Sequence, residues 1–314
     1  MKIVMLDAST LGDNSLAPIE ALGQLHSYAL TRPQDVVARC DDAEVIITNK
    51  VRLGAEQLKA LPKLKLICVA ATGTNNIDIN AAQTQGIAVC NVAGYSTASV
   101  VQHTFTLISL LLNNLHRYIH DCRQGAWQQS DMFCRLDYDI AELAGKKIAI
   151  IGHGELGQAV AKVAHAFDMQ VLIAERRNQA PRPGRIAFEQ ALAQADIITI
   201  HCPLNAETEQ LINRETLALM QPSAVLVNTA RGAIINEADL ASALAEGTLA
   251  AAALDVLSEE PADPNNPLVR YRGDNLLLTP HIAWASSQAR DRLIHQLALN
   301  IRAFADGEVR NRVG

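Results

Sequence analysis

An α/β fold of two doubly wound parallel sheets is predicted by three observations. Strand-like and helix-like stretches alternate along the chain in two separate sets. The 314 residues exceed what a single hydrophobic core usually serves. A glycine-rich turn joins a strand to a helix at the head of the second set. Alternation of this kind implies parallel sheets covered by helices on both faces, and a composition 49% hydrophobic and 19% charged supplies the apolar residues such sheets bury.

The first set begins with Met1-Lys2-Ile3-Val4-Met5-Leu6-Asp7, which reads as a strand and turns acidic too early for a signal peptide. Strands are expected at 2–7, 43–49, 64–70 and 87–91, with helices around 16–22, 34–39, 55–61 and 79–85. A long helix follows. Ser99 and Gln102 fit a capping box, which puts its start near Ser99, and its apolar content runs through Leu115. The stretch 124–137 has no clear period and reads as an excursion. The second set has strands at 147–151, 170–174, 197–201, 224–228, 251–255 and 275–279, with helices at 156–167, 188–193, 214–220 and 239–246. A last helix is expected from about 286 to 305.

Net charge is −6, which argues against non-specific nucleic-acid binding. The apolar stretch 100–112 is interrupted by Gln102, His103, Thr104, Thr106 and Ser109, so no membrane span is expected. Six cysteines are scattered without a C-x-x-C pair. They read as reduced thiols of a cytoplasmic protein, and their spacing gives no metal site.

Strand 147–151 leads into Gly152-His153-Gly154-Glu155-Leu156-Gly157, a G-x-G-x-x-G turn opening a helix. The first glycine allows a tight turn, the second lets backbone approach a pyrophosphate, and the third lets helix and strand pack closely. The helix N-terminus offers N–H groups to the phosphates. Glu175 ends the next strand, where a carboxylate can accept both ribose hydroxyls of NAD and repel the 2′-phosphate of NADP. Arg176 and Arg177 sit beside it and keep NADP open as a second cofactor.

Three charged residues in the last third stand in motifs suited to chemistry. They are Arg231 in Asn228-Thr229-Ala230-Arg231-Gly232, Glu260 in Ser258-Glu259-Glu260-Pro261, and His281 in Thr279-Pro280-His281-Ile282-Ala283. Arginine binds a carboxylate through two parallel hydrogen bonds. Histidine supplies a proton near neutral pH, and a carboxylate beside it orients the ring and favours the imidazolium. Arg231 and His281 both follow predicted strands, and open α/β sheets bind ligands at the carboxyl ends of their strands.

With these motifs in order, the chain resembles the D-2-hydroxyacid dehydrogenase family over essentially its whole length. The segment Asn91-Val92-Ala93-Gly94-Tyr95-Ser96-Thr97-Ala98-Ser99-Val100-Val101-Gln102-His103-Thr104 is most similar to the bacterial glycerate dehydrogenases, also called hydroxypyruvate reductases. The resemblance implies a flavodoxin-like substrate domain, residues 1–98 plus 286–314, with a Rossmann-like NAD-binding domain, 99–285, inserted. It also implies a homodimer, in which Trp127 either packs the interface or reaches a partner's active site. Carried over residue by residue, Arg231 matches the substrate arginine, Glu260 the partner of the histidine, and His281 the acid/base. Thr72 and Gly73 match the turn whose N–H groups meet the substrate carboxylate, and the Ser96 region contributes to side-chain fit. Pro203 and Thr208 match a cofactor-side loop, and Thr104, Thr229, Ala230 and Asp255 line the nicotinamide end. The substrate turn reads Thr72-Gly73-Thr74-Asn75-Asn76 where many relatives carry a Gly-x-Asp pattern, which leaves substrate choice open. The implied activity is NAD(P)H-dependent reduction of a small 2-keto acid, foremost hydroxypyruvate to D-glycerate, with glyoxylate second. The alternatives are a dehydrogenase for another D-2-hydroxy acid and a dinucleotide-sensing, corepressor-like binding protein.

Overall fold

The computed structural model describes residues 1–313; residue 314, the last of the expected substrate domain, lies outside the described residues. The chain forms two compact units, one of Met1–Ser96 with Ala285–Gly314 and one of Thr97–Trp284.

The first unit holds β1 (Lys2–Met5), α1 (Ala17–Glu20), β2 (Gln24–Ser27), α2 (Val36–Cys40), β3 (Val45–Thr48), α3 (Ala55–Lys59), β4 (Leu66–Val69), α4 (Ile79–Thr84) and β5 (Ala88–Cys90). All pairings are parallel, in the order β2-β1-β3-β4-β5, the flavodoxin-like order. β3 and β4 are buried at every position because helices cover both faces, which is why they read as unbroken apolar runs.

The second unit begins with α5 (Thr97–Leu112) and α6 (Leu115–Arg123). The single long helix expected from Ser99 is therefore two helices. They break at Asn113 and Asn114, where Asn114 takes a left-handed φ of 46° that asparagine tolerates. Ser99 is not the cap either: it lies inside α5, and its hydroxyl donates to the carbonyl of Ala283 at 2.6 Å. Next come β6 (Lys147–Ile151), α7 (Glu155–Ala166), β7 (Gln170–Ala174), α8 (Phe188–Gln194), β8 (Ile197–Ile200), α9 (Arg214–Leu217), β9 (Val225–Asn228), α10 (Glu237–Glu246), β10 (Ala251–Leu254), α11 (Pro267–Arg270) and β11 (Leu276–Leu278).

This second sheet is also parallel throughout, ordered β11-β10-β9-β8-β6-β7. Beyond β7, Ile186 adds one parallel bridge to Ala174, at the position of a further edge strand. The two faces of the sheet bury separate clusters. One, around Ile148, Ile150 and Val227, packs on Phe105 and Ile108 of α5; the other gathers Ile198, Leu226 and Leu240. Each such aliphatic side chain, wholly removed from water, contributes roughly 2 kcal/mol.

The chain closes with α12 (Ser287–Ala305) in the first unit, packed on α1 and β4. Val313 then donates its N–H to Val89 at 2.9 Å. The second unit is thus inserted in the chain of the first.

Candidate active site

The strand order of the second sheet reverses beside β6, with β7 on one side and β8 on the other, and such a switch point opens a crevice at the strands' carboxyl ends. The glycine turn sits there. Gly152 has φ +96°, and a Cβ on it would lie 2.5 Å from the backbone nitrogen of Cys202, at the end of β8. On Gly157 a Cβ would lie 2.1 Å from the Gly152 carbonyl, so only glycine lets α7 approach β6 this closely. Gly154 faces open space. It caps α7 without a side-chain bond, whereas the caps of α4, α9, α10 and α12 (Asp78, Asn213, Asn236 and Ser286) all accept from first-turn N–H groups.

The turn opens on a cavity of about 910 Å³ that also takes in Glu175, Arg176, Pro203 and Thr208. Thr208 donates its hydroxyl to the Pro203 carbonyl at 2.7 Å and shapes that loop. Glu155 opens α7, with its carboxylate accepting from the Thr97 hydroxyl at 2.6 Å, and Leu156 follows half-buried. Two polar atoms in the wall are buried with no hydrogen-bond partner among the described residues: His201 Nδ1, and Arg177 Nε, which still stands 3.7 Å from Glu189 in an ion pair. Burial pushes the His201 imidazole down to about 4 and the Cys202 thiol up to about 11, so both are neutral near pH 7. An exposed second glycine, an uncapped helix N-terminus and the partnerless His201 Nδ1 fit a dinucleotide with its pyrophosphate at α7.

Arg231, Glu260 and His281 lie at the other end of the same sheet edge. β10 stands between β9 and β11, so the backbone beyond these strands runs side by side. Asp255 N donates to the Asn228 carbonyl at 2.9 Å, and His281 N donates to the Asp255 carbonyl at 2.8 Å. Asn228, fully buried, holds the arginine turn: its Nδ2 donates to the Arg231 carbonyl at 2.8 Å, and its Oδ1 accepts from Ala230 N at 2.9 Å. A Cβ on Gly232 would stand 1.9 Å from the Leu257 carbonyl carbon, so the arginine turn rests directly on the loop that carries Glu260.

His281 Nδ1 meets Glu260 Oε2 at 2.6 Å. The other carboxylate oxygen of Glu260 accepts from Leu257 N at 3.2 Å. His281 has φ +54°, a left-handed backbone. Asp255, 1% exposed, enforces it: Oδ1 accepts from the Thr279 hydroxyl at 2.5 Å and from Ile282 N at 2.9 Å, and Oδ2 accepts from Ala283 N at 2.8 Å. His281 Nε2 and all but one of the Arg231 guanidinium nitrogens make no hydrogen bond among the described residues; Arg231 Nη1 donates to the Ala230 carbonyl at 2.7 Å. The arrangement presents one imidazole nitrogen beyond β11 and one guanidinium fork beyond β9, with β10 between the two strands.

Thr104 and Thr229, both buried, share a hydroxyl hydrogen bond of 3.1 Å beneath this end. In the first unit Thr72 donates its hydroxyl to the Val92 carbonyl at 2.9 Å and accepts at its own carbonyl from Asn91 at 2.7 Å, so the 72–76 turn is tied to the strand-end segment leading to half-buried Ser96. Gly73 is not among the described glycines of positive φ, so backbone conformation alone does not demand glycine there.

The charge pattern of the motifs did not reveal three supporting residues. Glu237 accepts from Ser258 N and the Ser258 hydroxyl, each at 2.7 Å, and so fixes the start of the Glu260 loop. His103 Nε2 lies 3.1 Å from the Thr279 hydroxyl and 3.5 Å from Asp255. Arg182 pairs with Glu175.

A family model described as the D-isomer specific 2-hydroxyacid dehydrogenase, NAD binding domain, matches residues 105–283, a span that holds the glycine turn and all three charged residues. The chain belongs to that family. It is 40% identical to a glycerate dehydrogenase of Methylorubrum extorquens, over 99% of this chain and 98% of that protein. It is 37% identical to a hydroxypyruvate reductase of Blautia hydrogenotrophica, over 100% of this chain and 99% of that one. Among solved structures, an acyclic imino acid reductase in complex with NADPH and D-Arg is similar with a TM-score of 0.87 and 27% identity, over the full length of both chains. As a family member, this 2-hydroxyacid dehydrogenase carries its NAD-binding fold in the second unit. Among the described residues no helix is long and apolar enough to cross a membrane.

Proposed function

We propose that the enzyme reduces hydroxypyruvate to D-glycerate, with glyoxylate as a second substrate. The observation that carries this reading is the 2.6 Å pair of His281 Nδ1 with Glu260, which leaves Nε2 without a hydrogen-bond partner among the described residues. The relatives named for glycerate and hydroxypyruvate support the choice of substrate.

When bound, the nicotinamide supplies a hydride to C2 of the keto acid. Arg231 clamps the substrate carboxylate through its guanidinium fork. His281 holds a proton at Nε2 and releases it to the carbonyl oxygen as that oxygen gains charge, leaving a hydroxyl and a neutral imidazole. Glu260 keeps the ring turned and offsets the imidazolium charge. Asp255 acts through the backbone, by holding residues 279–283 in place. Oxidation runs the same path in reverse, with neutral His281 taking the hydroxyl proton. In the first unit, Thr72 and Gly73 are assigned to the substrate carboxylate through their N–H groups and Ser96 to the side-chain fit. Gly152, Gly154, Glu155, Leu156 and Gly157 are assigned to the pyrophosphate turn, Glu175, Pro203 and Thr208 to the adenosine side, and Thr104, Thr229, Ala230 and Asp255 to the nicotinamide end.

We further propose a cytoplasmic homodimer. Support comes from the excursion after α6, where Trp127 is 55%, Leu136 73% and Phe133 91% exposed. Apolar surface on that scale marks an interaction face. Sedimentation of the purified chain at monomer mass would exclude it.

The decisive experiment compares kcat/KM for hydroxypyruvate, glyoxylate, pyruvate and phosphohydroxypyruvate with both cofactors. Hydroxypyruvate is expected to rank first. A preference for pyruvate or the phosphorylated acid would overturn the substrate, and no turnover with any of the four would overturn the activity.

A further inference from the structure

The loop 255–266 joins β10 to α11 and carries Glu260. Residues 258–262 are exposed, so burial fixes little of this stretch. It is held by hydrogen bonds at its two ends, and both ends meet the same side chain. Ser258 donates its backbone N–H to Glu237 Oε1 and its hydroxyl to Glu237 Oε2, each at 2.7 Å. Asn266 Nδ2 donates to Glu237 Oε2 at 2.7 Å. Asn266 is buried, and its Oδ1 accepts from Leu268 N at 2.9 Å to cap α11.

The chemistry of this clamp demands a carboxylate. Two oxygens here receive three donors, and an ionised carboxyl group accepts at both oxygens and donates at neither. A glutamine would set its NH2 group against the Ser258 N–H or against Asn266 Nδ2, donor facing donor. Asn266 cannot turn over to relieve this, because its Oδ1 is committed to Leu268. Glu237 is also the first residue of α10, where the helix N-terminus favours negative charge. Leu240 and Leu244 bury that helix in the core of the sheet, so the clamp has a rigid base. Neither Ser258 nor Asn266 is assigned to substrate or dinucleotide.

We propose that Glu237 is a positioning residue of the reaction: by holding both ends of the loop it sets where Glu260 stands, and so maintains the 2.6 Å contact with His281. Glu260 gives its other oxygen to Leu257 N at 3.2 Å, directly beside the clamped Ser258. A reacting group misplaced by about 1 Å costs up to roughly 10²-fold in rate. The role rests on reading Glu260 and His281 as the acid/base pair. It is independent of which keto acid is reduced and of which dinucleotide supplies the hydride.

The test is a double-mutant cycle in the full chain, on whichever keto acid is turned over fastest, with nucleotide titration beside it. Glu237→Ala should lower kcat about three- to tenfold, bounded by the loss in Glu260→Gln. KM and dinucleotide affinity should stay within about twofold, because Asn228 holds Arg231 and the glycine turn follows a different strand. In a Glu260→Gln background the same substitution should cost less than about twofold, since a residue acting through Glu260 has nothing left to position. Equal losses in both backgrounds, or a loss confined to KM, overturn the proposal. Hydrogen exchange at the Ser258 amide reads the clamp without turnover and should be about tenfold faster in Glu237→Ala. Unchanged exchange overturns the proposal even where kcat falls. If Glu237→Ala does not fold, Ser258→Ala removes one of the three donors at an exposed residue. A smaller loss of kcat that vanishes in the Glu260→Gln background supports the clamp, and one that persists there overturns it. Wild-type kcat in Glu260→Gln would sink the acid/base reading and this role with it; wild-type kcat in Glu237→Ala beside a slow Glu260→Gln sinks the positioning role alone.

Discussion

Glu175 and Glu260 belong to the same unit, each follows a strand end, and the two have opposite fates. Glu175 is fully buried, and its oxygens are filled by two backbone N–H groups and one guanidinium from its own loop. Glu260 keeps 36% of its side chain exposed and spends one oxygen on a titratable ring. The first has its acceptor sites occupied from within its own loop; the second shares one oxygen with a histidine ring. Residue type and distance from a motif do not separate these roles. The count of partners each carboxylate already has does.

The most severe test of the His281–Glu260 end is His281→Asn. Asparagine tolerates the φ of +54° at this position, so the loop should survive while the proton donor is lost. We expect kcat to fall by about 10²–10⁴-fold with dinucleotide affinity unchanged, as measured by nucleotide titration beside steady-state kinetics. A variant within a few-fold of wild type would remove His281 from the chemistry.

Glu260→Gln is milder. It retains a polar partner for Nδ1 but removes the counter-charge of the imidazolium. We expect kcat for reduction to fall roughly tenfold with dinucleotide affinity unchanged. A kcat within about twofold of wild type would reduce Glu260 to a packing residue.

At the adenosine end, His201 gives a stability signature. Burial lowers its folded value from 6.5 to about 4, so the unfolded chain binds the proton more readily between those limits. The contribution of the neutral ring is full above pH 6.5 and is lost as pH falls toward 4, on the order of 3 kcal/mol if burial is complete. Thermal melts across that window should show the decline, and His201→Gln should flatten it. An unchanged slope in the variant would mean that other groups carry the acid sensitivity.

The smallest expected effect sharpens the opening contrast. Glu175→Gln should alter NAD⁺ affinity by less than about threefold, because its oxygens are occupied by Arg182 and backbone. A drop of about 100-fold, the scale of losing two hydrogen bonds to a charged group, would show that Glu175 turns to the ribose after all.

Most of the fold was legible because parallel strands buried on both faces are plain apolar runs. The strands 147–151 and 170–174 were read with their observed limits. β2 escaped notice: it is a half-exposed edge strand whose Gln24–Ser27 has neither an apolar run nor clean alternation. The break between α5 and α6 escaped because apolar content continues across it, and only the left-handed Asn114 reveals the turn. Arg231, Glu260 and His281 were legible as residue types in motifs. Their supports Asn228, Glu237 and His103 were not marked as such, since a buried asparagine or an ordinary helix glutamate carries no local sign of the carbonyl or N–H it will meet.

By itself, then, the amino-acid order determined the two parallel sheets, the glycine turn and the candidate motifs of Arg231, Glu260 and His281, because periodicity and special backbone geometry are local properties. Only the folded chain decided that His281 and Glu260 meet at 2.6 Å while Arg182 closes over Glu175. Hydrogen-bonding capacity is finite, and which groups consume it is settled by neighbours brought close in space.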